Sequence, residues 1–140
     1  MNLPGYPANP RRFEVRPGIA MSYLDEGPRD GEIVVMLHGN PSWSYYWRTL
    51  VAGLSDRYRC IVPDHVGMGL SDKPDDDKGA TPRYDYTLQS RVEDLEALLR
   101  HAGVGEPATG LEDAAVRTVQ ELLRADADAE LTLGVLAREV

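Results

Sequence analysis

The chain has 140 residues, enough for one domain that buries roughly 70% of its unfolded surface. At 42% hydrophobic and 27% charged it has the composition of an ordinary globular protein. A formal net charge of -8 argues against the clustered basic face of a nucleic-acid binder, and no apolar run approaches the roughly 20 residues of a membrane helix.

Residues 1–12, with Pro4, Pro7 and Pro10, read as an extended arm. Arg12-Phe13-Glu14-Val15-Arg16 alternates, Pro17-Gly18 punctuates, and Ala20 to Leu24 alternates again, which predicts an antiparallel hairpin. Ile33 to Leu37 is a continuous apolar run between turn residues, expected to be a strand buried on both faces. It runs into His38-Gly39-Asn40-Pro41. Trp47, Leu50, Val51 and Leu54 follow at helical spacing, with Trp47 starting the stripe as a core residue. Cys60-Ile61-Val62 is a second short buried strand ending at Pro63-Asp64, and together these make a βαβ unit in an α/β fold.

Gly67 to Asp72 reads as a glycine-punctuated loop, followed by the acidic Asp75-Asp76-Asp77. Ser90 with Glu93 matches a capping box, so a helix is expected to open near Ser90. Its apolar stripe is Val92, Leu95, Leu98, Leu99 and Ala102, and Gly103 is placed for a left-handed C-cap. No third parallel strand follows. Thr109-Gly110-Leu111-Glu112 is another capping box, and Leu111, Ala114, Ala115, Val119, Leu122 and Leu123 fall on one helical face. Residues 111–140 hold seven acidic residues against three basic. Composition and period change near residue 108, which divides the chain into a domain over 13–107 and a helical tail over 108–140.

A strand ending in a tight turn presents backbone N–H groups beyond the carboxyl edge of its sheet, where open α/β sheets bind ligands. Gly39, Asn40, Pro41 and Trp43 are therefore the candidate binding residues. Asn40 is read as an anion- or oxygen-binding group rather than a mere turn residue tolerant of unusual dihedrals. Trp43 and Tyr45 are open to a pocket-lining role. His38 is expected to be structural, its ring bonded to a neighbouring loop. Asp64 is read as a carboxylate that ties down the Gly67–Gly69 loop, in preference to a metal ligand or an acid. Gly67-x-Gly69 lacks the third glycine and the Lys-Ser/Thr of a phosphate cradle, and Asp75–Asp77 has the wrong spacing for an EF-hand. Cys60, the single cysteine, reads as an inert core thiol; with no internal disulfide available and no signal-like start, a cytoplasmic setting is expected. No metal or cofactor is implied.

Residues 13–107 resemble the amino-terminal part of the α/β-hydrolase superfamily, in particular haloalkane dehalogenases and the β-lactone decarboxylases of olefin synthesis. The likeness is carried by Leu37-His38-Gly39-Asn40-Pro41 with Ser44-Tyr45-Tyr46-Trp47-Arg48, by Pro63-Asp64 with Gly67 to Pro74, and by Tyr86-Thr87-Leu88. Trp43 beside Tyr45-Tyr46 looks more like the lactone branch. The resemblance implies a partial α/β-hydrolase sheet, a hairpin then βαβ with flanking helices, followed by an α-helical tail. It implies that the Asn40 N–H helps hold an oxyanion and that the Asn40 side chain meets a halide or substrate oxygen. The family's nucleophile, acid and base lie further along, and no Gly-x-Ser-x-Gly or Asp-Trp-Gly occurs here. The expected protein thus carries the oxyanion loop without catalytic residues and is inactive alone. The alternative is a non-catalytic interaction module or a truncated or fused reading frame.

The expected partner is an apolar small-molecule substrate, not nucleic acid and not a membrane. In the family a fifth strand lies beside the third, so self-association or a strand-donating partner is also expected. Residues 129–140 resemble the opening helix of an arabinose-regulator-type helix-turn-helix, without its recognition helix.

Overall fold

The computed structural model describes residues 3–7, 9–74 and 83–104. The Asp75–Asp77 loop, the boundary near 108 and the tail helices lie outside the described residues. The hairpin forms as the alternation predicts. β1 (Arg11–Arg16) pairs antiparallel with β2 (Ile19–Glu26). The chain reverses at Pro17-Gly18, where Gly18 takes a φ of +75° that a side chain would resist.

β3 (Ile33–Val35), a 3-10 turn over Ser44–Trp47, α1 (Arg48–Leu54) and β4 (Arg59–Pro63) complete the βαβ unit, with β3 and β4 parallel. β4 also pairs antiparallel with β2, giving a mixed four-stranded sheet in the order β1-β2-β4-β3. β4 is buried along its whole length. Its alternation splits the core: Cys60 and Val62 pack with Leu50, Val51 and Leu54 of α1, while Ile61 packs on the opposite face with Met21 and Leu98.

Two expectations are corrected. The run Ile33 to Leu37 is not buried on both faces: Ile33 and Val35 are half-buried and Leu37 is 44% exposed. Among the described residues β3 pairs only with β4, so only Val34 and Met36, which face α1, are closed over. Trp47 is half-buried, in the 3-10 turn ahead of α1 rather than within it.

The second helix, α2 (Leu88–His101), opens earlier than the Ser90 signal indicates. Thr87 is the cap, with extended backbone, and its Oγ1 accepts the Ser90 N–H at 3.1 Å. The buried face is also rotated from the expected stripe. It carries Ser90, Asp94 and Leu98, leaving Val92 44% exposed. A buried Asp94 is tolerable because Arg16 Nε and the Tyr84 hydroxyl donate to its two oxygens, each at 2.6 Å. That carboxylate, with burial, holds the Tyr84 phenol well above its ordinary range.

α2 ends as Gly103 predicts. Gly103 has φ +77°, its N–H donates to Arg100 O at 3.1 Å, and the Val104 N–H donates to Leu99 O at 2.8 Å, a Schellman motif. Arg59 joins three elements at this end. Its guanidinium donates to both oxygens of Asp25 in β2, at 2.8 and 2.9 Å, and to Ala102 O at 2.9 Å. Among the described residues, no helix is long and apolar enough to cross a membrane.

Candidate functional site

The turn after β3 sits at the carboxyl edge of the sheet. The Met36 N–H still donates to Ile61 O at 3.0 Å, and beyond it the chain leaves the ladder. The Ser42 N–H donates to Gly39 O at 2.9 Å and closes a turn through a cis Asn40–Pro41 bond, the type VI geometry. Gly39, Asn40 and Pro41 are exposed. Positive φ angles occur only at glycines, so Asn40 is not there to supply a left-handed backbone. Among the described residues neither its N–H nor its carboxamide has a hydrogen-bond partner.

An aromatic wall rises beside this turn. Trp43 is half-buried, stacked on Tyr45 at 5.5 Å and tilted against Tyr6 at 5.6 Å. The Arg48 guanidinium lies 4.2 Å from the Tyr45 ring centroid. Tyr6 comes from the amino-terminal arm, where nothing in the sequence but an aromatic among prolines marks it. Its hydroxyl lies 2.7 Å from Ser44 Oγ, and burial pushes the phenol up to about 12.

The floor is polar and fully engaged. Asp64 is completely buried. Its Oδ1 accepts the Ser44 N–H at 2.7 Å and its Oδ2 the Leu70 N–H at 2.8 Å. Its carbonyl accepts the Ser71 hydroxyl at 2.6 Å. Gly69, at φ +54°, lies so close to the Asp64 carboxylate that a Cβ would overlap it. Asp64 thus fastens the turn and the Gly67–Gly69 loop together, with neither oxygen left to bind a metal or carry a proton.

His38 is buried and similarly committed. Its Nε2 accepts the His65 N–H at 3.0 Å and its Nδ1 lies 2.9 Å from Gly39 O, which fits the imidazole protonated at Nδ1. A general base needs a ring nitrogen facing substrate, and His38 offers none. The His65 ring is 4.6 Å from that of His38, and burial, with His38 and Arg91 beside it, lowers its pKa to about 4. Cys60 is fully buried and burial pushes its thiol up to about 12, so it is no nucleophile. Among the described residues no group of His, Cys, Asp or Glu is placed to hold a metal. What remains is an exposed turn with an unused N–H and carboxamide, flanked by an aromatic wall. Such a surface can receive an electron-rich oxygen or a halide beside an apolar group.

A model of the α/β-hydrolase fold matches residues 32–109. A cis-3-alkyl-4-alkyloxetan-2-one decarboxylase from Xanthomonas campestris pv. campestris is 74% identical over 109 residues, which is 78% of this chain and 36% of that protein. A haloalkane dehalogenase from Mycobacterium marinum is 38% identical over 117 residues, 80% of this chain and 37% of its own. The tetrameric structure of haloalkane dehalogenase DpaA from Paraglaciecola agarilytica NO2 superposes with a TM-score of 0.61 at 33% identity, covering 72% of this chain and 33% of that one. The chain spans about a third of the length of the curated relatives it matches. The fold, the sheet-edge turn and these likenesses agree: this chain belongs to the α/β-hydrolase fold family.

Proposed function

We propose that this chain carries the oxyanion and substrate-binding wall of a β-lactone decarboxylase-like or haloalkane dehalogenase-like site, and that it does not turn over substrate alone. The observation that carries this reading is the exposed, unpartnered Asn40 at the head of β3. In this reading the Asn40 N–H meets a developing negative charge, its side chain meets a substrate oxygen or a halide, and Gly39 and Pro41 hold the turn in shape. Trp43 contributes apolar surface for an alkyl chain. The 74% identity to a dialkyl-oxetanone decarboxylase favours a β-lactone over a haloalkane as the cognate ligand. Described residues that resemble catalytic groups are already occupied: Asp64 by two backbone amides and His38 by its own loop. Without a nucleophile and its proton carrier, oxyanion donors supply only modest residual rate. The single buried cysteine fits a reducing, cytoplasmic setting.

The test is a dialkyl β-lactone titrated against the full chain. Saturable quenching of tryptophan fluorescence, weakened in Asn40→Ala and in Trp43→Ala, is expected, with no saturable turnover. Absence of binding, or turnover abolished by Asn40→Ala, overturns the reading.

A second reading is a non-catalytic interaction module, or a truncated or fused reading frame. The edge of β3 favours it. The Arg59 N–H bonds to Glu32 O and the Met36 N–H to Ile61 O, so the alternate residues Ile33 and Val35 direct their amides away from β4. Sequencing the DNA past codon 107 in all frames discriminates: an elbow motif out of frame marks a shifted enzyme gene.

A further inference from the structure

α2 carries a second apolar stripe that the described residues leave largely uncovered. Leu88 is 79% exposed, Val92 is 44% exposed, and Leu95 and Leu99 are half-buried. These positions share one side of the helix. The helix meets the sheet through Ser90, Asp94 and Leu98, so the stripe lies sideways, with Leu99 and Ile33 of β3 against the same core cluster. Arg91 sits between stripe and sheet, and its Nη1 is shut from solvent with no hydrogen-bond partner among the described residues.

We propose that residues 111–123 of this same chain cover the stripe as a helix antiparallel to α2. This inference is independent of the site's chemistry. Four observations converge on that occupant. The chain leaves α2 through a Schellman turn and Val104 is buried in the core beneath it, so the exit lies at the Leu99 end of the stripe. The six residues 105–110 span at most about 20 Å, ample for a helix–helix connection. Read from that exit, Leu99, Leu95 and Val92 are spaced by four then three; Ala115, Val119 and Leu122 are spaced by four then three in the opposite chain direction. Pairing them in that register brings Glu121 within a helical turn of Arg91 on the sheet-facing flank, supplying the carboxylate that Arg91 Nη1 lacks.

The experiment uses the full chain with Val92→Cys and Leu122→Cys, treated with a short bis-maleimide. Val92 is exposed, and the buried Cys60 does not compete for reagent. The expected product is a monomer crosslinked within one chain. Val92→Cys with Arg117→Cys, on the opposite face of the segment, gives none. Arg91→Glu causes loss of the crosslink, and adding Glu121→Arg restores it. Crosslinks found only between two chains assign the stripe to a second copy and overturn the proposal. Two singly capped thiols leave the stripe open and overturn it as well. Failure of the charge swap to restore the crosslink overturns the Arg91–Glu121 register.

Discussion

The Ser44 backbone N–H donates to Asp64 Oδ1 at 2.7 Å, joining the turn after β3 to the loop after β4. The other carboxylate oxygen holds Leu70 N–H, so one buried side chain sets the relative position of both carboxyl-edge loops. Asp64→Ala removes the acceptor for both amides. A buried donor left without a partner costs about 1–3 kcal/mol. The urea midpoint of Asp64→Ala should therefore fall further than that of Asp64→Asn, which keeps the shape and one acceptor oxygen. Equal midpoints for the two variants would show that the shape of the side chain, not its acceptors, matters.

Gly69→Ala tests the same junction from the opposite side. The new methyl meets the Asp64 carboxylate, and φ +54° is itself unfavourable for an L-residue by about 1–2 kcal/mol. A clear drop in thermal midpoint is expected. Gly53→Ala is the control: it lies in α1 with open space around its Cβ position and no positive φ, and it should match or raise the parent's midpoint.

The second buried charge pair makes a prediction about stability. Burial favours a neutral Asp25, but the Arg59 and Arg29 guanidiniums outweigh it and hold the carboxyl below the usual carboxylate range. Asp25→Ala leaves Arg59 buried and unpaired, a change that costs about 3–5 kcal/mol. The double variant Asp25→Leu with Arg59→Met should recover much of that loss. A double-mutant cycle in chemical denaturation checks it. If the double variant is as unstable as Asp25→Ala, the damage lies elsewhere, in the lost bond from Arg59 to Ala102 O.

Local signals in the sequence were legible and long-range ones were not. Pro17-Gly18 marks the hairpin turn, the apolar runs mark β3 and β4, and Gly103 marks the end of α2, because each is decided by residues a few positions apart. The antiparallel pairing of β2 with β4 has no local signature. The face of α2 was misread for a specific reason: periodicity counts Asp94 as a surface residue, and only Arg16, 78 positions away, and Tyr84 make its burial affordable. The helix start was misread because Ser90 with Glu93 imitates a capping box, while Thr87 holds the cap without an acidic partner. At the site, the His-Gly-Asn-Pro turn was visible, but Tyr6 was not, since its insertion between Trp43 and Ser44 depends on how the arm folds back.

That insertion is measurable. Tyr6→Phe keeps the ring against Trp43 and removes the bond to Ser44, a loss of about 1 kcal/mol. Tyr6→Ala removes the ring as well and exposes the Trp43 face to water. Tryptophan emission should shift to the red in Tyr6→Ala and stay near the parent value in Tyr6→Phe. Red shifts of equal size would mean that the hydroxyl, not the ring, shields the wall.

His65 gives the protein an acid-side sensitivity that is separable from that of Asp25. Its pKa falls from 6.5 to about 4 because burial disfavours the imidazolium, and His38 and Arg91 add to the effect. Above pH 6.5 the folded and unfolded chains both hold a neutral imidazole, so His65 contributes no slope. As pH falls from 6.5 toward 4 the unfolded chain takes up a proton that the folded chain refuses, and stability declines. Below about 4 both states are protonated and the penalty stays constant. Asp25 acts in the other part of the range: its contribution is whole above the unfolded carboxylate value of about 3.9 and is lost as pH drops through its lower folded value. His65→Gln should therefore flatten the stability profile between 6.5 and 4 while leaving the steeper loss below it intact. Urea titrations at about pH 7, 5 and 3 resolve the two windows. An unchanged slope in the upper window would mean that protonated His65 finds room or a partner in the folded chain.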